Sequence, residues 1–364
     1  MKKFTKGCLM TALVLFLVGL MLCVVCGVLG GFRQLAQMDG IGSIPFVCGR
    51  DDSGHWRIGF FRSPGYGRDD LEDIGDIDVG DIDVGDIDVG DTEDAGELER
   101  RLRKLDGKQE ELALTAETLG SLEIDLVMCN LLIQESADEH VWILVEGDTN
   151  RPEYAIENDG NRSRLCIEND EDYNYYWRSK PKDYVYLWLP KGCALKECEI
   201  YMGAGYMKSI SLNADQSHIS VGAGLMEIAG LAGKEIILSA DAGELLAGRV
   251  TAENAVLQIG AGHLSVEELS VSRNADISVG VGQCEIAGTI TGDLDLDCDM
   301  GETMMRLTGS EDDHSYDVEC GMGEVNVGSR SHSGVAVERS WNSGKDSEFD
   351  VDCNMGTVTI TFEE

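Results

Sequence analysis

The sequence predicts an all-β protein: a single-stranded parallel β-helix, or β-solenoid, with coils of about 19–20 residues, preceded by one transmembrane helix. Three observations support this prediction. Glycine recurs at a nearly constant spacing through the second half of the chain, apolar residues alternate on both sides of each glycine, and an uncharged run lies near the start. Self-similarity at a fixed period of this size is typical of a solenoid.

The repeat is defined by a glycine that closes each unit. Successive closing glycines are separated by 19, 19, 19, 20, 19, 22 and 33 residues. The positions five and three residues before each glycine are apolar or cysteine, and the residue just before it is Ala, Val or Met. Glycine suits a corner because it lacks a Cβ and accepts a positive φ. The closing glycines are Gly205, Gly224, Gly243, Gly262, Gly282, Gly301, Gly323 and Gly356.

Alternation on both sides of the glycine predicts two short strands per unit, each with one buried face. A unit of this length cannot bury that face alone, but stacked copies can. Equivalent strands then pair in parallel about 4.8 Å apart. Upstream, "SLEIDLVMCNLLIQ" is interpreted as a further coil with Cys129 at the glycine position, and three more strand-like segments follow it. We therefore predict a solenoid domain over 112–364.

Three segments of this domain resemble a known bacterial family: "LEIDLVMCNLLIQ", "VYLWLPKGCALKECEIYMGAG" and "FDVDCNMGTVTITF". They are similar to the putative-adhesin family, a β-solenoid domain of unknown function. The resemblance covers about two thirds of the chain, and Cys129 departs from the small residue or glycine expected in the first coil. It implies a module of the cell surface or envelope, and it offers no catalytic residues.

The start of the chain predicts a membrane anchor. Residues 7–32 carry no charge and would form a helix about 39 Å long, which is enough to cross a hydrocarbon core of roughly 30 Å. Lysines precede the run, and Arg33 is the one basic residue close behind it, so the positive-inside rule places the N-terminus in the cytoplasm. We predict a cytoplasmic stub over 1–6, a transmembrane helix over 7–32 and an extracytoplasmic solenoid on the cell membrane. A cleaved signal peptide is the alternative.

The composition changes between the anchor and the solenoid. Residues 33–68 mix glycine, proline and aromatic residues and predict a loosely folded juxtamembrane segment. Residues 69–94 hold 13 acidic residues and no basic one, and such a tract repels itself and extends. It predicts an acidic low-complexity spacer, with a five-residue β-helix or a calcium-binding array as alternatives. Residues 95–111 predict a short charged helix that caps the first coil.

Charge and composition limit the function classes. The net charge of −38 excludes nucleic acid as a natural partner and disfavours anionic lipid surfaces. The six histidines share no metal-ligand spacing, and none lies beside a plausible nucleophile in the sequence. We therefore expect no enzyme and no organic cofactor. The predicted partners are the membrane, through the N-terminal helix, and an unidentified component of the surface, wall or membrane.

Cysteine is frequent, with twelve copies in the chain, nine of them outside the uncharged run. Cys298, Cys320 and Cys353 occupy the same inward column of the repeat. A buried cysteine behaves as a small apolar residue, which is the favoured interpretation. A disulfide between Cys298 and Cys320 is the alternative, because neighbouring coils lie within the usual Cα range for such a bond.

The outward positions beside this cysteine column become acidic in the last coils. Earlier coils carry Ser or Gln at these positions. Stacked carboxylates repel each other, and calcium, which takes six to eight oxygen ligands, would relieve that repulsion. Alternatively, the acids only keep exposed strands soluble and unpaired. The candidate calcium ligands are Asp295, Asp297, Asp299, Asp317, Glu319, Asp350 and Asp352.

Together these features predict a membrane-anchored, extracytoplasmic β-solenoid that acts as a non-catalytic binding or display module. The alternative is an envelope-sensing or regulatory accessory protein that works through a membrane partner.

Overall fold

The computed structural model describes residues 47–50, 56–59, 100–102, 108–147, 151–169 and 183–363. The predicted stub, transmembrane helix and acidic spacer lie outside these residues. Within them, no helix has both the length and the apolar character needed to cross a membrane. Part of the predicted juxtamembrane segment forms an antiparallel hairpin of β1 (Val47–Arg50) and β2 (Trp56–Gly59).

The predicted charged helix is described only in part. Residues 100–102 are helical, and the Arg101 guanidinium lies 3.9 Å over the ring of Tyr184, so this turn contacts the solenoid. The predicted end of the helix at 111 is wrong, because a strand begins at Glu110. Leucine at 112 and 114 faces the core from that strand, and burying this alternating pair favours the extended conformation.

A single sheet of 22 strands winds through the rest of the described chain. Its first half consists of β3 (Glu110–Thr115), β4 (Leu119–Met128), β5 (Asn130–Glu135), β6 (His140–Glu146), β7 (Glu153–Asp159), β8 (Arg162–Glu168), β9 (Tyr184–Leu189), β10 (Leu195–Ala204), β11 (Tyr206–Val221), β12 (Leu225–Ala232) and β13 (Glu235–Ala240). Its second half consists of β14 (Glu244–Ile259), β15 (His263–Val279), β16 (Gln283–Ile290), β17 (Asp293–Cys298), β18 (Glu302–Thr308), β19 (His314–Cys320), β20 (Glu324–Val327), β21 (Arg330–Ser333), β22 (Val337–Trp341), β23 (Ser347–Cys353) and β24 (Thr357–Glu363).

The central coils confirm the β-solenoid. Ile219 pairs with Leu238, which pairs with Leu257 on the next coil, and all these strands are parallel. The prediction of two strands per coil is too low. The strand β14 makes up most of one coil, and its buried side chains fall into three separate alternating runs. Residues 245 and 247 point inward, then 250 and 252, then 255, 257 and 259. The strand therefore bends between runs while its backbone pairing continues.

The closing glycines stack upon one another at the corners. A Cβ on Gly243 would lie 3.0 Å from the backbone nitrogen of Gly224 and would also collide with its carbonyl oxygen. Of the eight closing glycines, Gly205 alone has a positive φ, of 130°. Of the two properties that suit glycine to the corner, the missing Cβ therefore matters at every coil and the positive φ matters at Gly205. What requires glycine is the close approach of consecutive backbones, which leaves no room for a side chain.

The order of coils in space differs from their order in the sequence at both ends. We call the strands that precede the glycine corner the pre-corner stack. At its C-terminal end, β23 pairs with β17 on one side and with β19 on the other, so the last coil of the chain lies between two earlier ones. At the opposite end, β4 likewise lies between β8 and β10. The strands after the corner repeat this order, with β24 between β18 and β20 and with β5 between β9 and β11.

Antiparallel strands cover the outermost coils. At the C-terminal end, β22 pairs with β19 and β21 pairs with β20. At the N-terminal end, β7 covers β8, β6 covers β9, and β3 pairs with β6. An exposed strand edge is a template for unwanted pairing, and these short strands occupy the edges that the parallel stack would otherwise leave open. One continuous apolar core runs inside the coils, with a smaller aromatic cluster beside β9.

Candidate binding surface at the C-terminal coils

Two rows of acidic side chains run across the pre-corner strands of the last coils. In the first row Asp276 pairs in register with Asp295, Asp295 with Asp350, and Asp350 with Asp317. The second row consists of Asp297, Asp352, Glu319 and Glu338 in that spatial order. Both rows point outward because the residues between them along each strand are buried. We call these eight side chains the acidic ladder.

The ladder contains six of the seven predicted candidate ligands, but in a different order. The sequence order predicts that Asp317 and Glu319 stack directly on Asp295 and Asp297. The structure contradicts this, because β23 inserts between the two coils and places Asp350 and Asp352 there. The insertion creates two unbroken rows of carboxylates, each one coil from the next.

The seventh candidate, Asp299, lies at the glycine corner rather than in the ladder. Its Oδ1 accepts a hydrogen bond of 2.8 Å from the Asn354 side-chain amide on the neighbouring corner. Asp317, within the ladder, similarly accepts a hydrogen bond of 3.1 Å from the Ser340 hydroxyl. Neutral donors therefore meet two of the carboxylates at the margins of the acidic surface.

Partial burial and mutual repulsion raise the pKa values of four ladder carboxylates. Burial, with a contribution from the charges of Asp350, Glu319, Asp297 and Asp295, raises the pKa of Asp352 to about 6. The pKa values of Asp276, Asp297 and Asp350 are also raised, first by burial and then by neighbouring ladder charges. Each of these groups therefore resists ionisation, and a nearby positive charge would stabilise its carboxylate form.

No lysine, arginine or histidine among the described residues forms a salt bridge with a ladder carboxylate. The Asp352 Oδ1 is buried and has no hydrogen-bond partner in the described structure. Within that part of the chain, no three His, Cys, Asp or Glu side chains are arranged so that they could hold a metal ion. The rows are linear rather than convergent, and calcium binding stays a prediction of the sequence.

A row of large apolar side chains borders the ladder at the glycine corner. The middle residues of four successive corners are, in spatial order, Val281, Met300, Met355 and Met322. Backbone hydrogen bonds join these corners, including 2.7 Å from Met355 N to Asp299 O and 2.6 Å from Met322 N to Asn354 O. The exposed fractions are 47% for Val281, 52% for Met300 and Met355, and 65% for Met322. We call these four residues the methionine ridge.

The ridge is specific to this end of the solenoid. The same corner position holds Ala204, Ala223, Ala242 and Ala261 in the earlier coils. Within the described chain, the large apolar residues that are exposed outside the ridge are Ile156, Met304 and Val335. Val335 precedes Ala336, whose amide donates to Gly321 at the Met322 corner, so its loop continues the ridge. Exposed apolar area of this kind is concentrated in one place, which marks an interaction surface more often than scattered residues do.

The other side of the ridge is also acidic. Glu302 and Glu324 directly follow their corner glycines, are exposed, and lie in one row with Gln283 and Thr357. Arg306 is an outward basic residue of the same strand as Glu302, four positions farther from the corner. The ridge therefore lies between the acidic ladder with Asp299 on one side and two glutamates on the other.

Beneath this surface lies the predicted cysteine column. Cys298, Cys353 and Cys320 are free and buried, and they stack in that order in register. The Cys298–Cys320 neighbourhood predicted from the sequence is wrong, because Cys353 lies between them. A hydrogen bond between the Cys298 and Cys353 thiols, which outweighs the effect of burial on Cys298, lowers the pKa of Cys298 and raises that of Cys353.

The acidic positions were predictable from the sequence, but the ridge was not predicted. The residue before each closing glycine forms a further apolar column of the repeat, which implies an inward position. The strands end at Cys298, Cys320 and Cys353, two residues before that position, so the alternation no longer applies at the corner. The available signal was the change from alanine to valine and methionine between Ala261 and Val281.

The stacked parallel coils define a β-solenoid repeat domain. Its distinctive groups, the acidic ladder and the methionine ridge, lie on the outer surface of the coils. The chain belongs to the Toastrack DUF4097 family, whose model matches residues 120–361. This agrees with the resemblance described from the sequence. None of the curated proteins matches the chain.

Comparison with solved structures finds several that are similar to this chain. A "putative adhesin" from Bacteroides fragilis is 13% identical, with a TM-score of 0.38, covering 70% of this chain and 97% of its own. A "putative lipid binding protein" from Parabacteroides distasonis is 13% identical, with a TM-score of 0.35 and coverage of 71% and 98%. A "putative cell adhesion protein" from Clostridium sporogenes is 12% identical, with a TM-score of 0.26 and coverage of 70% and 99%.

Proposed function

We propose that this protein is a membrane-anchored, extracytoplasmic binding module that acts without catalysis and engages its partner through the C-terminal end of its solenoid. The observation that carries the proposal is the methionine ridge, where exposed large apolar side chains concentrate between two acidic flanks. A solenoid that only separates two other modules would need no such surface, because outward polar residues keep it soluble.

The surface is suited to binding rather than to chemistry. Its acidic groups lie in rows on the outer face of the sheet, and its thiols are buried beneath that face. Catalysis by paired carboxylates needs the two groups to meet around a substrate in a defined site. The ladder instead offers a repeated array of charge about 4.8 Å apart, which complements an extended partner.

The anchor is part of the proposal. It rests on the uncharged run over 7–32 and on the positive charges that precede it. The acidic residues over 69–94 would then be repelled by an anionic membrane surface. The binding surface on the C-terminal coils would then be available to components of the wall, surface or membrane.

Site-specific photocrosslinking on intact cells tests this function. A photoreactive residue replaces Met322 in one variant and Ala242, at the equivalent corner of a central coil, in the matched control. We expect a specific adduct from position 322 and none from 242. A wall or surface component in the adduct would support the adhesin-like role, and a neighbouring membrane protein would support the regulatory alternative. Equal adducts at the two positions, or none at 322, would contradict binding at this surface.

A further inference from the structure

We propose that the methionine ridge and its acidic flanks form a docking site for a cationic amphipathic polypeptide segment. Apolar side chains of the segment would pack on Val281, Met300, Met355 and Met322, while its lysine or arginine residues would face the acidic ladder on one side and Glu302 and Glu324 on the other. This inference names the partner class of the proposed binding module and therefore rests on the proposed function.

The length of the ridge matches a short amphipathic helix. Four ridge residues on consecutive coils span three steps of about 4.8 Å, or about 14 Å. That length corresponds to about ten residues of α-helix, in which one face presents three apolar side chains. Methionine is unbranched and polarizable, so a row of methionines adapts to partner side chains of different shapes. The ridge therefore suits the short apolar face of a partner helix rather than a single side chain inserted into a pocket.

The charges beside the ridge determine which kind of segment can bind there. The ladder presents eight acidic side chains with no basic partner among the described residues, and Glu302 and Glu324 lie across the ridge. A segment with lysine or arginine beside its apolar stripe would place positive charge on both flanks. Such pairing would relieve the repulsion among carboxylates that are partly removed from water.

The same charges argue against other occupants. A second copy of this chain would bring an equally acidic surface against the ladder, and the chain has a net charge of −38. Anionic lipid and nucleic acid are repelled for the same reason. A neutral apolar segment could contact the ridge, but it would cover partly buried carboxylates without compensation. Cationic charge is what makes the apolar contact favourable.

The test uses the full-length protein in nanodiscs of zwitterionic lipid, with empty nanodiscs as the blank. The probe is a peptide of about 14 residues with leucine on one helical face and lysine on the other. Two comparison peptides have the same leucine face with glutamate in place of lysine, or the same composition in scrambled order. Binding is measured by fluorescence anisotropy at low and high salt. We expect the leucine–lysine peptide to bind at least tenfold more tightly than either comparison peptide, and to weaken with salt.

Three variants locate the binding. The ridge variant carries M300Q, M322Q and M355Q, and the ladder variant carries D295N, D297N, D350N and D352N. The control carries A223Q, A242Q and A261Q at the same corner position of earlier coils. We expect each of the first two to weaken binding at least tenfold and the control to leave it unchanged. All three alter exposed or half-buried positions, and thermal melting verifies that they fold.

Three results would overturn the inference. They are equal binding by the parent and the ridge variant, equal binding of the scrambled peptide, and self-association of the parent that the ridge variant abolishes. If the peptide fails but photocrosslinking at Met322 on cells still captures a partner, the proposed function stands and the cationic partner class is wrong. If neither experiment gives a signal, both proposals fail.

Discussion

Cys298 and Cys353 face each other in register on neighbouring parallel strands, although Cys320 lies between them in the sequence. This pairing places the last coil of the chain inside the stack rather than at its end. The glycine corners follow the same order, since a Cβ on Gly356 would meet the backbone of Gly301 and a Cβ on Gly323 would meet that of Gly356. Both ends of the repeat region are thus held between coils formed by other parts of the chain.

The inserted coil predicts unusual protection near the C-terminus. Chain ends usually open easily, but the backbone of β23 is paired on both sides. We expect the amides of Phe349, Val351 and Cys353 to exchange as slowly as those of Leu238 and Leu257 in the central coils. The covering strands β21 and β22 are the internal control and should exchange faster, because each pairs on one side. Fast exchange throughout β23 would contradict the insertion.

The same insertion decides which disulfide an oxidant can form. Diamide accepts two electrons and two protons from a pair of thiols, leaving one disulfide and the reduced hydrazine. We expect any bond within the buried column to join Cys353 to Cys298 or to Cys320, because a bond between the outer two would have to pass Cys353. Peptide mapping of the oxidised protein by mass spectrometry measures this. A linked Cys298–Cys320 peptide would show that the coil order is wrong.

The corner geometry predicts that substitutions at two adjacent residues differ in their effect on the free energy of unfolding. Gly356→Ala places a Cβ against the backbone of Gly301 and 2.7 Å from the Cys298 sulfur. Forced packing of this kind costs about 1–3 kcal/mol. Met355→Ala, at the exposed ridge position next to it, should change the free energy of unfolding by less than about 0.5 kcal/mol. Chemical denaturation of both variants compares them. Similar losses would show that Met355 contributes to packing, which would weaken its assignment to a binding surface.

The repeat was predictable from the sequence because its signals are local. Alternation around each glycine and the near-constant spacing identify inward positions such as Ile219 and Leu257, and those residues are buried. The coil order was not predictable, because every coil offers the same columns and Cys320 or Cys353 fits equally well beside Cys298. The longest of the irregular steps, the 33 residues between Gly323 and Gly356, contains the covering strands β21 and β22.

Calcium binding by the ladder is tested by thermal melting of the full-length protein. If a site forms, millimolar calcium will raise the Tm of the parent but have little effect on a variant with Asp297, Glu319 and Asp352 changed to Asn. Magnesium at the same concentration controls for general screening of the rows. Equal shifts with both ions, or equal shifts in parent and variant, would contradict a calcium site and leave the acids as an unspecific charged face.

The raised pKa values of the ladder predict that its carboxyl groups stabilise the fold more in mild acid than at neutral pH. A carboxyl whose folded pKa lies above its unfolded value binds more protons in the folded state between the two values, so the free energy of unfolding falls as pH rises through that window. For Asp352 the window extends from about 4 to its folded pKa of about 6, and the pKa values of Asp276, Asp297 and Asp350 shift in the same direction. This contribution favours a higher Tm at pH 5 than at pH 7.5 in low salt. Burial lowers the pKa values of His314 and His332, which acts in the opposite direction, so comparison with a ladder variant isolates the carboxylates. Asp352→Asn removes the most strongly repelled charge, so it should raise the Tm at pH 7.5 by about 2 °C. The expected rise is modest because solvent screens this group. The same substitution should reduce the difference in Tm between pH 5 and pH 7.5. Glu139→Gln, at an exposed acid near the opposite end of the solenoid, should do neither. Differential scanning calorimetry of the three proteins measures these shifts, and a parent that is less stable at pH 5, with no gain in Asp352→Asn, would show that the ladder charges do not oppose folding.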